Sequence, residues 1–325
     1  MHIDILATES LGVRGLCCAV RTRQGRFLID PGLALGFIRE GLPPHPIQVA
    51  AGETAARRIV RHLAAATDVI FSHFHGDHVP LAEANPYQLP LAEVAPLLRR
   101  PRLWAKDTRG EPAGFAARER AIAAAAGQPL RRCQASRTGC LTFSDAMPHG
   151  NPQSGLGQVM MTRIEEDDQV FVHASDIQLL DNEPIEQIAD WHPTILLVSG
   201  PPLYRHLHPA EVTAAANRVR RLARRLNCCL IDHHLLRSRE GIRWLDDLHR
   251  ETAGVVCCAA DYAGQPRRLL EADRSRLYAD HPVSENWHDR YQRRKLSLPA
   301  GTGDPGPAAE PLPMPPAGHK DQHTA

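Results

Sequence analysis

The sequence predicts an α/β fold in which two β-sheets pack face to face with helices outside, a four-layer αββα sandwich. Three observations carry that prediction. Hairpin-like and helix-like segments alternate through two comparable halves of the 325-residue chain. Six of the eight cysteines stand as adjacent pairs, Cys17-Cys18, Cys228-Cys229 and Cys257-Cys258, inside apolar strand-like runs. Neighbouring strand residues face opposite sides, so each pair places one small thiol in each flanking layer. Finally, the His and Asp residues best suited to bind metal each follow an apolar run, where a strand gives way to a loop.

Residues 3–7 read as the first strand, and 16–21 with 26–30 as a hairpin around Arg23-Gln24-Gly25. Asp30-Pro31-Gly32 stops its second strand, and the proline-rich 41–46 is a loop. Residues 52–66 carry Ala56, Ile59, Val60 and Leu63 at helical spacing, an amphipathic helix leading into a strand at 69–71. Between His78 and His149 the clearest element is a helix over 113–126, and 141–146 is a strand that delivers Pro148-His149-Gly150. Segments 159–163 and 169–173 form a second hairpin ending at Ala174-Ser175-Asp176. A strand at 194–199, a basic helix at 209–226, a strand at 228–232, a helix at 239–252 and a strand at 255–260 follow. One domain is expected over residues 1–298, with the residues after His233 mostly completing the second half and segment 79–140 roofing the cleft. From Pro299 the chain is Gly/Pro-rich and loses every period, so 299–325 is expected to be a disordered tail.

Net charge is +1, so nothing global draws the chain to nucleic acid or to an anionic membrane. No stretch reaches the roughly 18 apolar residues of a membrane span. Met1-His2-Ile3-Asp4 lacks the basic-then-apolar layout of a signal peptide, which makes a cytoplasmic location the default expectation. There is no C-x-x-C, and Cys133 and Cys140 are too far apart for a metal knuckle, so the thiols read as small buried hydrophobes.

His73-Phe74-His75-Gly76-Asp77-His78 packs four potential metal ligands into six residues, directly after Val69-Ile70-Phe71. In an extended segment His73 and His75 point the same way. If the chain then turns helically, Asp77 and His78 swing to a second point, and one loop serves two adjacent ions. Three further candidates follow strands: His149, framed by Pro148 and Gly150; Asp176, which after Ser175 could instead cap a helix; and His233, which competes with His234. The strand direction places one of this last pair at the metals and the other on the opposite face.

This order, with Asp30 closing an earlier strand, resembles the metallo-β-lactamase-fold metallohydrolases over about residues 1–240. Glu9-Ser10-Leu11-Gly12-Val13-Arg14, Asp30-Pro31-Gly32 and Asp232-His233-His234-Leu235-Leu236-Arg237 look like an uncharacterised family within that superfamily, and no activity comes with the closer likeness. The resemblance implies that His73, His75 and His149 hold one metal, that Asp77, His78 and His233 hold a second, and that Asp176 bridges them. Two divalent ions are implied, with Zn expected and Fe or Mn suiting the same donors. Ions about 3.5–4 Å apart share a water, lower its pKa towards 7 and polarise the oxygen that gains charge. Asp77 would also orient the hydroxide. The superfamily pattern favours His233 as last ligand, with an arginine four residues later, and leaves His234 to support the ligands or to hydrogen-bond substrate. Asp30 would brace the ligand loops, and Arg14 and Arg237 are candidates for anchoring an anionic substrate. His173, His192, His206 and His208 are not ligands in this reading, although His206 and His208 are placed to protonate a leaving group.

The first functional class is therefore a dinuclear metal-dependent hydrolase acting on a small ester, thioester, lactone or phosphoester. A nuclease-type phosphodiesterase is the second, supported by the basic runs 218–225 and 290–295. Neutral net charge weakens it. So does the 57-residue gap from Asp176 to His233, too short for the inserted domain of the nucleic-acid-processing branch. The third class is a non-hydrolytic iron site or a metal-holding scaffold, for which the chain supplies no flavin or rubredoxin partner.

Overall fold

The computed structural model describes residues 1–151 and 155–297; the expected tail, 299–325, lies outside the described residues. The first sheet runs β1 (His2–Ala7), β2 (Cys17–Arg21), β3 (Arg26–Ile29), β4 (Asp68–Phe71), β5 (Arg102–Ala105) and β6 (Arg131–Arg132) in sequence order. It is antiparallel up to β3 and parallel beyond. Helices α1 (Pro46–Ala65), α2 (Leu91–Leu98) and α3 (Ala113–Ala126) make the parallel crossovers.

The second sheet contains β7 (Arg137–Thr138), β8 (Leu141–Pro148), β9 (Gln158–Glu166), β10 (Gln169–His173), β11 (Ile195–Val198), β12 (Cys228–Ile231) and β13 (Val256–Cys257), again as sequential neighbours. Its crossovers are α4 (Glu183–Asp190), α5 (Pro209–Ala223) and α6 (Arg239–Glu251), and α7 (Ala259–Tyr262), α8 (Arg274–Asp280) and α9 (Trp287–Ser297) follow. Among the described residues no helix is long and apolar enough to cross a membrane.

Strand alternation makes three cores out of two sheets. Val69 and Phe71 face α1–α3, whereas Ile70 between them joins Ile29, Phe171, Leu197 and Leu230 in the space between the sheets. Leu196, Val198 and Ile231 face outward onto Ile185, Val219 and Leu245 of α4–α6. The cysteine pairs divide as expected. Cys17 lies in the first outer core and Cys18 between the sheets; Cys228 and Cys257 lie against the middle core, with Cys229 and Cys258 in the second outer one. All eight cysteines are free thiols. Helix, sheet, sheet and helix stack as the αββα sandwich.

Some elements depart from the sequence expectation for local reasons. Helix α1 begins at Pro46 and not at Gly52, because His45 caps it, Nδ1 accepting from Ile47 N at 3.2 Å, and proline suits the first turn. Gly52 lies inside the helix where Leu35 packs, 3.3 Å from the position of a Cβ. Helix α2 contains Pro96, which disguised it. The strand expected at 255–260 shortens to β13 because Asp261 accepts from Cys258 N at 3.1 Å and starts α7.

Segment 79–140 is less a roof than a flank: β5 extends the first sheet beside β4, and α2 and α3 cover its outer face. The end of the chain also corrects the expectation. Leu270 and Tyr291 are buried in the first outer core, so α8 and α9 return to the first half. The second outer face is already filled by α4–α6, whereas Tyr87 leaves an aromatic flank open. Tyr291 stacks between Tyr87 (ring centroids 5.7 Å apart) and Trp287 (5.2 Å), and the Tyr87 hydroxyl lies 2.8 Å from His288 Nδ1.

Because that contact is buried, Tyr291→Ala is expected to destabilise the whole domain by about 3 kcal/mol. A urea midpoint equal to wild type would show α9 to be an appendage.

Candidate metal centre

The strand β4 ends at Phe71 and the chain continues extended through His75, so His73 Nε2 comes within 3.0 Å of His75 Nδ1. A turn follows, His78 N donating to His75 O at 3.0 Å, and it carries Asp77 and His78 round to a second point. Only glycine lets this turn sit where it does. A Cβ on Gly32 would lie 2.2 Å from Val79 N, and one on Gly15, at φ 143°, would lie 2.9 Å from Asp77 O.

Asp30 holds the loop from beneath. Its Oδ1 accepts from Ser72 N at 2.8 Å, and its Oδ2 accepts from Ser72 Oγ at 2.6 Å and Ser175 Oγ at 3.1 Å. The same Oδ2 is 2.9 Å from His78 Nδ1, which turns His78 Nε2 inward. Asp30 thus braces the loop as expected. Asp176 caps no helix: His149 Nε2 lies 2.7 Å and His73 Nε2 3.5 Å from its Oδ2, while His78 Nε2 (3.2 Å) and His233 Nε2 (3.5 Å) approach Oδ1. His233 Nε2 is also 3.2 Å from His78 Nε2 and 3.5 Å from Asp77 Oδ2.

The side chains nominated from the sequence therefore converge as two groups able to hold a metal, His73–His75–His149–Asp176 and Asp77–His78–His233, with donor atoms within 4.8 Å of one another in each. His234 departs from expectation. It does not face away, for its Nε2 stands 3.2 Å from Asp176 Oδ2, so Asp176, His233 and His234 also group together. The chain leaves β12 directly into a helical turn at His234 (φ −67°, ψ −36°), where strand alternation no longer applies.

Burial sets the protonation states. It lowers the pKa of His73 to about 4, helped by the charge of His78, and that of His75 to about 2, helped by His73 and His149. Burial also lowers His234 to about 3 and, with Arg237, holds His233 well below its ordinary value. Neutral rings are the metal-binding form. His78 goes the other way: burial opposes its charge, but Asp176 and Asp30 outweigh burial and raise it. Burial likewise opposes the charge of Asp77 and Asp176, and the surrounding histidines win, keeping both well below the usual carboxylate range.

No family model matches the chain. Whole-chain relatives do. A UPF0282 protein of Methanosarcina mazei is 44% identical over 300 residues, covering 92% of this chain and 98% of its own. One from Thermococcus gammatolerans is 34% identical over 263 residues, 77% and 87% of the two chains. The chain belongs to the UPF0282 family. Its four layers and its edge of His and Asp residues agree with the resemblance read from the sequence. Two solved structures resemble it in outline. An isothiocyanate hydrolase from Delia radicum gut bacteria has a TM-score of 0.46, 16% identity and coverage of 82% of this chain and 94% of that one. The metallo-β-lactamase fold protein YhfI from Bacillus subtilis has a TM-score of 0.44, 12% identity and coverage of 79% and 93%.

This UPF0282 chain also uses residues that sequence reasoning passed over. Glu9 Oε2 lies 2.7 Å from His233 Nδ1, and Glu9 Oε1 accepts from Arg237 Nε at 2.7 Å. The Gln178 amide lies between His149 Nδ1 and His234 Nδ1, at 3.3 and 3.2 Å. Arg237, considered for substrate anchoring, is buried and engaged by Glu9. His173 faces Leu16 O at 2.9 Å, and His208 caps α5.

Gly32→Ala should displace the turn carrying His78 and cost about 1–3 kcal/mol, read by urea denaturation; full stability would mean the backbones do not touch. Metal-free protein should lose stability as pH falls from 6.5 towards 4. His73, His75 and His234, ordinarily at 6.5, stay neutral in the fold while the unfolded chain takes up protons. His78 opposes this, its contribution being full below 6.5 and lost as pH rises through its folded value. A melting temperature in chelator that is flat or rises between pH 7 and 5 would contradict the balance.

Proposed function

We propose that this protein is a dinuclear metal-dependent hydrolase of small esters, thioesters, lactones or phosphoesters. One observation carries the reading: imidazole nitrogens and carboxylate oxygens converge at ligand spacing in two adjoining groups. Two donors each 2.0–2.1 Å from a tetrahedral ion stand about 3.3–3.4 Å apart. His73 Nε2 and His75 Nδ1 are 3.0 Å apart, and His78 Nε2 and His233 Nε2 are 3.2 Å apart. Asp176 Oδ1 is buried with no hydrogen-bond partner among the described residues, which is the position of a ligand atom.

On this reading His73, His75 and His149 would hold one ion and Asp77, His78 and His233 the other, with Asp176 placed between the two groups. Zn is the expected metal, and Fe or Mn suit the same donors. When bound, the pair supplies the Lewis acidity that makes water a nucleophile near neutral pH. Asp77, at the more exposed side of the cluster, orients the attacking water. His234 positions Asp176 through its Nε2 contact and lies where it can hydrogen-bond substrate. The carboxylate of Glu9 fixes the ring of His233, the role a partner on the second nitrogen plays for a ligating histidine.

A small-molecule substrate is favoured over nucleic acid because net charge is only +1 and two arginines of the basic run are tied to neighbouring elements. Arg218 donates to Asn182 Oδ1 at 2.8 Å and Arg220 to Glu251 Oε2 at 2.7 Å. Phe115 walls the site, its ring centroid 4.9 Å from that of His75 with the two rings perpendicular.

Elemental analysis of purified protein is expected to find two equivalents of metal per chain, with His75→Ala and Asp176→Ala each holding well under two. Turnover of a panel of esters, lactones and phosphodiesters should vanish on chelation and return with one particular metal. Wild-type protein carrying less than one equivalent, or a His75→Ala variant with unchanged metal content, would refute the dinuclear reading.

A further inference from the structure

Beside the second ligand group the charges do not balance. Arg237 is answered by Glu9, and Arg14 by Glu271, whose Oε2 accepts from Arg14 Nε at 3.1 Å. Two more guanidiniums crowd the same corner. Arg274 is wholly buried and donates to Gln48 Oε1 at 2.8 Å and Leu42 O at 3.1 Å, while its Nε and the Gln48 amide nitrogen have no partner among the described residues. Burial lowers Arg274 to about 10, with Glu271 opposing and Arg14 and Arg39 adding to the shift, so these three cations feel one another.

Arg39 has no carboxylate at all in ion-pair reach among the described residues. It donates to the backbone oxygen of Arg237 at 2.9 Å and lies 5.1 Å over the ring of Tyr204. The Tyr204 hydroxyl is 3.4 Å from Arg237 Nη1, and Arg237 Nη2 is 3.4 Å from Asp77 Oδ2, so two side chains, Tyr204 and Arg237, lie between Arg39 and Asp77. A Cβ on Gly36 would stand 2.3 Å from Arg14 Nη2, so the loop bearing Arg39 lies directly on Arg14. The same loop exposes Phe37 and Ile38.

Four half-buried or buried guanidiniums stand against Glu9, Glu271 and Asp77, and Asp77 also belongs to the second ligand group; a surplus of positive charge remains beside that group, a costly arrangement unless an anion approaches it. We propose that the substrate is a small organic anion whose carboxylate or phosphate is received by Arg39, with Arg14 behind it, while Phe37 and Ile38 touch its carbon skeleton. This deepens the hydrolase reading and rests on it for the word substrate. Arginine's planar fork matches either oxyanion.

The test uses the metal-loaded full chain at low ionic strength. Inorganic phosphate and succinate are titrated calorimetrically into wild type, R39Q, R39K and, as a distant surface control, R220Q. Metal content is checked for each variant. At least one anion should bind wild type, at least tenfold more weakly in R39Q and by an intermediate amount in R39K, with R220Q unchanged; the tighter anion names the group. In parallel, mono-4-nitrophenyl succinate is compared with 4-nitrophenyl butyrate. The wild-type preference for the anionic ester should fall at least tenfold in R39Q, mainly through KM. Equal anion affinity in wild type and R39Q, or binding of neither anion to wild type, overturns the proposal. Failure of the hydrolase reading shows separately, as no turnover of either ester by protein holding two ions, and the titrations still decide the anion site.

Discussion

Two buried carboxylates at strand ends hold the halves of this molecule together, and the geometry of the metal centre follows from them. Asp30, just past β3, accepts from Ser72 in the first half and from Ser175 in the second. Asp232, just past β12, does the same in reverse: its Oδ1 accepts from Thr8 Oγ1 at 2.8 Å and Ser10 N at 2.9 Å, and its Oδ2 from Ala259 N at 3.0 Å. Each carboxylate spans the line between the sheets at the edge where the ligand loops emerge. Because both are fully buried, their oxygens must be satisfied from both sides at once, and so the two edges are locked in register. His78 hangs from one staple and His233 follows the other in sequence, which is why their Nε2 atoms meet.

The environments of the two staples differ in a way that fits their neighbours. Burial would raise Asp30, but His78 bonded to it outweighs burial and lowers it, so it stays a carboxylate that donates nothing. Asp232 has only neutral donors around it, and burial raises it. Outside them lies a second polar chain. Glu9 grips both His233 and Arg237, and Arg237 leans on Asp77. Burial raises Glu9 well above its ordinary value against the pull of Arg237. His233, just past β12, is thereby fixed from the opposite end of the chain.

Much of this was legible in the sequence because it is local. Strand alternation at Cys17-Cys18 or Cys257-Cys258 announces two buried faces wherever the strands lie, and a metal loop of four ligands in six residues announces itself. The placement of His149, Asp176 and His233 directly after strands was enough to bring them to one edge once the sheets stacked. What could not be read depends on contacts remote in sequence. Glu9 meets His233 across 224 positions, and the motif around Glu9 says nothing of that partner. The return of α9 to Tyr87 depends on which outer face was left uncovered, a property of the finished fold. Only the facing of His234 was misread, because the period of a strand was extended beyond the strand itself. Pro96 hid α2, and Gly52 hid the first turn of α1, where packing overrides propensity.

The centre also sets the terms on which this fold is stable. Four imidazoles kept neutral by burial, two ionised carboxylates and a raised His78 within a few ångströms form a cluster whose members repel or strand one another without a cation. Metal bound to the native state alone adds stability by mass action, and it does so at the one edge where both halves meet. The ions on this reading are therefore structural as well as chemical: the same charges that would acidify a water also relieve the repulsion between the ligand loops.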